Sequence, residues 1–285
     1  MKVPESPRWY IEHGRPKDAA AVVGSLTHID EEKAEFFAEC EEECINERKK
    51  KKSPGFGILF RPGYLKKTVL ASVPWFGMDI ATYGVGIFTP ILIGVMAGTG
   101  ISGLGTIASD FYETKYTAFL DIFLVIGFVL NILLVERLGR MKLQTLGFAG
   151  MIAGLLVLSF VALENSYLSL AFAGFIIFNV FMNMGPNATT FIVPAEIFPT
   201  SVRATAHGFA AAMGKAGAAF GIFLLPVFQG ILGTPVTLMF IAGGCFVGLA
   251  VTSVLGIETK GRSLEESGLH ELPKNLKPKE SIYGE

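Results

Sequence analysis

The chain has 285 residues, of which 51% are hydrophobic and only 17% charged, with 24 Phe and a mean hydropathy of +0.50. That balance excludes a soluble globular domain and predicts an all-α integral membrane protein. The net charge of −1 offers nothing for a nucleic-acid partner, yet 13 of the 24 Lys and Arg fall at or before Lys67, an asymmetry that bears on orientation.

The segment 1–66 is polar and opens without the apolar core of a cleavable signal, and the basic residues of the later connections place it in the cytoplasm by expectation. Within it, 30–52 reads as a surface helix, acidic at its start and basic at its end, as the helix dipole prefers. Lys49 to Lys52 are placed to grip anionic lipid head groups. Cys40 and Cys44, four apart, form no disulfide framework with Cys245, and no His or third Cys completes a metal site.

Six apolar runs follow, at about 68–93, 117–135, 143–163, 168–193, 205–228 and 235–257, each near the ~20 residues that cross a bilayer. The expected bundle occupies 67–258 and a hydrophilic tail 259–285, where Ser263 followed by Glu266 fits a capping box. Arg137, Arg140, Lys142 and Arg203 lie in the second and fourth connections, so both termini are assigned to the cytoplasm of a plasma or inner membrane. Pro74, Pro90, Pro186, Pro194 and Pro226 lie in or at the ends of spans, where freed backbone groups must meet protein or a water-filled cavity. In the fifth run Ala210, Gly214 and Ala218 recur at every fourth position, as do Gly217 and Gly221, which lets helix backbones approach closely.

Asp79 stands about halfway along the first run, where a charge costs several kcal/mol and usually marks an ion or substrate pathway. Trp75 one turn before and Tyr83 one turn after share its helix face. Asn187 and Lys215 are further polar groups deep in spans. Lys215 and Asp79 are candidates for mutual pairing, either as a bond that only holds the bundle or as a site. In the second case Lys215 holds an anion, Asn187, Tyr83 and the Trp75 ring nitrogen hydrogen-bond it, and Asp79 takes up a proton. His207, just inside the fifth run, reads as a packing or hydrogen-bonding residue.

The cytoplasmic connections carry charged sets: Glu136, Arg137 and Arg140 after the second run, Glu196 and Arg203 after the fourth, and Glu258 and Arg262 after the sixth. Glu196 and Glu258 are expected to pair with Arg137, Arg140 or Arg203. Such a network would bias one conformation over another when the cytoplasmic side opens.

Four motifs, PESPRW (4–9), ERLGRM (136–141), PAEIFPTSVR (194–203) and ETKGRSLEE (258–266), together resemble the second half of a major facilitator superfamily transporter of the sugar-porter-like branch. Trp75 to Tyr83, Gly185 to Phe191, Thr205 to Gly208 and Gly214 to Gly217 look most like the phosphate:proton symporter family. Three departures stand out. Ala195 replaces the usual Gly, Ile257 replaces a Pro, and Met141-Lys142 stands where an Arg is usual.

The resemblance implies six transmembrane helices forming one half of the fold, with Trp75, Asp79, Tyr83, Asn187 and Lys215 supplying half of a central phosphate site and Asp79 as proton-linked carboxylate. It implies a second six-helix half, as a separate chain or another copy, because PESPRW normally follows a sixth span. No cofactor is implied. Competing readings are a sugar or organic-ion transporter of the same fold, and a split or truncated chain that does not transport alone. A membrane enzyme is remote, since no nucleophile with base, metal cluster or phosphate loop is found. Gly98 to Gly103 fits GxGxxG, but it follows a membrane span, which is the wrong setting for a dinucleotide fold.

Overall fold

The computed structural model describes residues 5, 7, 10, 15–27, 55–96, 106–164 and 168–262. The expected 30–52 helix, Cys40 and Cys44, Lys49 to Lys52, the Gly98 to Gly103 run and the Ser263 capping box lie outside these residues. The chain divides into two units, Met1–Gly55 and Phe56–Glu285.

In the first unit, helix α1 (Pro16–Thr27) was not anticipated from the sequence, although Pro16 at its first position and Asp18 in its first turn are start signals. Arg15 Nε donates to Asp18 Oδ2 at 2.8 Å, and Ala19 and Ala20 are buried against Tyr10 and Val23.

The second unit is almost wholly helical from Phe56 to Leu255 among its described residues, and 256–262 follow as turn and irregular chain. A 3-10 turn, Phe56–Phe60, leads into α2 (Pro62–Met96), α3 (Thr106–Leu138), α4 (Arg140–Glu164), α5 (Leu168–Met184), α6 (Pro186–Ile197) and α7 (Thr200–Leu255). Among the described residues, four segments are long and apolar enough to cross a membrane: Thr114–Leu138, Arg140–Leu163, Ser169–Ile197 and Val202–Leu255. The 68–93 run lies within α2. The 168–193 run is α5 and α6 together, bent at Gly185 where Pro186 has no N–H to continue the ladder. The last two runs are the arms of α7 on either side of Gly233, whose φ of 79° and ψ of 163° break the helix.

Apolar side chains cover the outside as well as the core. Ile132 is 73% exposed, Phe223 74% and Val254 78%, a surface that suits lipid and not water. Polar side chains lie inside instead. Gln144 Nε2 donates to Thr252 Oγ1 at 2.8 Å and its Oε1 accepts from Thr189 Oγ1 at 2.8 Å, tying α4, α6 and α7 together. At the α5–α6 bend, Asn131 Nδ2 donates to the Met184 carbonyl at 2.6 Å, so the broken helix leaves that oxygen satisfied.

The first arm of α7 packs along α2. A side chain at Gly217 would collide with the Phe76 carbonyl, and a Cβ at Gly221 would stand 2.8 Å from the Ile80 carbonyl. Glycine at both positions lets the two backbones touch, and that contact sets which residues of α7 oppose Asp79.

Candidate functional site

With Gly214, Gly217 and Gly221 pressed against α2, Lys215 falls beside Asp79 and Tyr83. Lys215 Nζ stands 3.3 Å from Asp79 Oδ2 and donates to Tyr83 Oη at 3.0 Å. It also lies 4.8 Å from the centre of the Tyr83 ring, within cation–π range. Asp79 is buried, with a side chain 4% exposed, while the Lys215 side chain is 62% exposed and Tyr83 is 37% exposed. The ammonium therefore spends one hydrogen bond on the carboxylate and one on the phenol, and no described residue takes its third N–H. The Tyr83 hydroxyl, accepting from Lys215, keeps its own proton to donate.

The other two sequence candidates do not join this cluster. Trp75 is buried, with its ring 4.5 Å from that of Phe191 and edge-on to His207 at 5.7 Å. Its indole also lies against Gly214, so a Cβ there would come within 2.6 Å of Nε1. His207 thus packs on the tryptophan. Asn187, half-buried at the start of α6, donates to Asn183 Oδ1 at 2.7 Å. Among the described residues no hydrogen bond links Trp75 or Asn187 to Asp79, Tyr83 and Lys215.

The charged connections converge at one end of the bundle. Arg140 Nε and Nη2 grip the two Glu196 oxygens at 3.0 and 2.9 Å, and Nη2 also reaches Glu136 at 2.8 Å. Thr259 Oγ1 donates to Glu196 as well. Glu258 takes a different part from the one expected. It accepts from the backbone N–H groups of Arg140 (3.0 Å), Met141 (3.2 Å), Thr259 (3.1 Å) and Lys260 (3.1 Å), as a carboxylate capping the start of α4. Gly139, at φ 91°, makes the turn, and a side chain there would strike the Glu258 carboxylate. Arg137 contributes its carbonyl, which accepts from Lys260 Nζ at 2.6 Å. Arg203 Nε donates to the Phe198 carbonyl at 3.1 Å. Among the described residues, Arg262 enters through its backbone N–H, bonded to the Thr259 carbonyl at 3.1 Å.

Three features escaped the sequence reading. Lys67 is 1% exposed and donates to the Ile197 carbonyl at 2.8 Å, closing the end of α6. Asn179 and Asn183 precede Asn187 at intervals of four, a stripe visible in the sequence once Asn187 is singled out. Asp121 sits on the exposed side of α3, inside the 117–135 run.

A helical bundle with an apolar exterior and a lysine–carboxylate–phenol cluster between two of its helices is built as an integral membrane protein. Residues 1–268 match the family described as Sugar (and other) transporter. The chain belongs to this family of transporters.

Among its relatives, a candidate inorganic phosphate transporter of Schizosaccharomyces pombe is 37% identical over 220 residues, covering 75% of this chain and 37% of that protein. The low affinity inorganic phosphate transporter 4 of Petunia hybrida is 33% identical over 282 residues, covering 93% of this chain and 51% of its own length. The fold is similar to that of the proton:xylose symporter XylE bound to 6-bromo-6-deoxy-D-glucose, with a TM-score of 0.73 at 18% identity over 93% of this chain and 54% of that one. The chain spans about half, or less, of the length of these proteins.

Proposed function

We propose that this chain is the carboxy-terminal six-helix half of a proton-coupled phosphate symporter. Its spans are α2, α3, α4, α5 with α6, and the two arms of α7. The segment 1–66 corresponds to the central loop of such a transporter and 259–285 to its tail, both in the cytoplasm. The observation that carries the reading is the Lys215 Nζ to Asp79 Oδ2 approach of 3.3 Å within an apolar bundle. A sugar site asks for neutral hydrogen-bonding groups, whereas a lysine with a spare N–H beside a protonatable carboxylate suits an anion that travels with a proton. Relatives bearing phosphate-transporter names support the same substrate.

In this mechanism phosphate binds to Lys215 and Tyr83, with Asn187 and the Trp75 indole completing the near side. Asp79 in its ionised form holds Lys215 and repels the anion. On protonation it releases Lys215 to the phosphate and donates a hydrogen bond of its own. Binding of anion and proton is thereby coupled. The far side of the site comes from a second six-helix half, and alternating access occurs between the halves. Glu136, Arg140 and Glu196, with Glu258 capping α4, hold the cytoplasmic end closed in one of the two states.

The test is uptake of labelled phosphate into proteoliposomes holding this chain with its partner half. Asp79→Asn is expected to abolish the response to an imposed proton gradient. Gradient-driven uptake that survives this substitution refutes the role given to Asp79. Competition by hexose and not by phosphate moves the reading to a sugar.

A further inference from the structure

Asn179, Asn183 and Asn187 form one stripe on α5 and α6, continuing across the bend at Gly185. Asn183 is the middle member and 1% exposed. Its Nδ2 donates to the Asn179 backbone carbonyl at 2.9 Å. A carbonyl only accepts, so the amide nitrogen of Asn183 must point that way and its Oδ1 must face Asn187. Asn187 then has one choice: it donates Nδ2 to that oxygen, at 2.7 Å.

The neighbourhood holds this arrangement in place. Gly127 of α3 comes so close that a Cβ there would lie 2.8 Å from Asn183 Cβ, and Asn131 ties α3 to the bend through the Met184 carbonyl at 2.6 Å. Asn187 is left presenting its Oδ1 and one N–H, and no described residue donates to that oxygen.

We propose that Asn183 is a positioning residue that fixes the Asn187 amide with its carbonyl oxygen toward the ligand, and so selects a tetrahedral oxyanion that carries a proton. The inference rests on the reading of Asn187 as a phosphate ligand. Protonated phosphate donates to Oδ1 and accepts from the N–H beside it. Sulfate has no proton at neutral pH and leaves the oxygen unsatisfied. A site built to receive a ligand O–H rejects the analogue lacking it far better than a site that judges shape. With Asn183 removed, the Asn187 amide is free to turn its nitrogen to the ligand, which sulfate accepts equally well.

The experiment measures proton-driven uptake of inorganic phosphate, with sulfate as competitor, by this chain and its partner half in proteoliposomes. Asn183→Leu is expected to raise KM for phosphate about tenfold, the size of one hydrogen bond, with the maximal rate within about twofold. Inhibition by sulfate is expected to strengthen. Asn187→Leu is expected to raise KM similarly, and the double variant to be no worse than Asn187→Leu alone, as coupled residues require.

Additive effects of the two substitutions, or an unchanged KM and sulfate inhibition in Asn183→Leu beside an impaired Asn187→Leu, overturn the positioning role alone. An Asn187→Leu that transports phosphate normally overturns the reading of the site and this inference with it. Should Asn183→Leu fail to fold, Asn183→Ser, which is smaller and too short to bridge the stripe, carries the same expectations.

Discussion

Lys215 and Asp79 meet across α7 and α2 with very unequal exposure, 62% for the lysine side chain and 4% for the carboxylate. The cation is therefore the accessible partner, and the carboxylate depends on it. Lys215→Met strands a buried charge, while Lys215→Met with Asp79→Asn removes both. Because the lysine is largely exposed, the expected loss for the single variant is modest, about 1–2 kcal/mol, with the double variant recovering most of it. Thermal unfolding of the detergent-solubilised protein checks both, at roughly 2–4 °C per kcal/mol for a chain of this size.

Contact between α2 and α7 depends on an absent side chain. Gly217→Ala drives a methyl into the Phe76 carbonyl, whereas a Cβ at Gly208, in the same helix, meets nothing within 4 Å. Gly217→Ala is expected to destabilise by about 1–3 kcal/mol through overpacking. Gly208→Ala is expected to be neutral or slightly stabilising, since alanine is the better helix former. Side-by-side melting curves of the two variants decide the matter, and a Gly217→Ala protein as stable as the parent refutes the close packing.

Glu258 caps α4 through the N–H groups of Arg140 and Met141. Its loss in Glu258→Ala is expected to cost about 1–2 kcal/mol. Gly139→Ala adds left-handed strain and a collision with the same carboxylate. The double variant is expected to be less destabilised than the sum of the two, because removing Glu258 relieves the collision and leaves only the strain. Chemical or thermal denaturation of the four proteins in the cycle measures the shortfall.

Arg140 grips Glu196 with two nitrogens at once. Lysine keeps the charge but has no fork, so Arg140→Lys is expected to lose about 1–2 kcal/mol and Glu196→Gln a similar amount. In the transport reading both variants also shift the equilibrium toward the state open at this end. Faster labelling of a cysteine introduced beside Arg140 would report that shift, and unchanged labelling in both variants would count against a latch.

Much of this was legible in the chain before any coordinates. The six apolar runs fall on helical segments, four of which are long and apolar enough to cross a membrane among the described residues, because lipid leaves a backbone few ways to satisfy its own polar groups. Asp79 and Lys215 declared themselves as charges in apolar surroundings, and the GxxxG spacing of Gly217 and Gly221 announced a close helix contact. Trp75, Asp79 and Tyr83 at four-residue spacing share a face by helix geometry alone.

Other relationships required three dimensions. The loop charges were visible, but their division of labour was not: Arg140 alone takes Glu196 in a bidentate grip, while Glu258 turns to backbone N–H groups. Sequence spacing says nothing of which carboxylate faces a helix start 118 residues away. Lys67 looked like one more basic residue ahead of the membrane, yet it is buried against the end of α6, a place that only the packing of α2 on α6 creates. Asn183 was passed over because an asparagine without charge raises no alarm. Its importance comes from the two oxygens and two nitrogens that it brings into line.

The sequence by itself determined that this chain is a membrane-spanning helical bundle with a carboxylate and a lysine within its apolar runs, because hydropathy and helical period are local properties. Only the tertiary structure decided that Lys215 meets Asp79 and Tyr83 while Trp75 and Asn187 stand apart from them. That outcome depends on the register of α7 along α2, set by backbone contact at glycines, and on the bend at Gly185. Neither register nor bend angle is written in the order of residues along one helix.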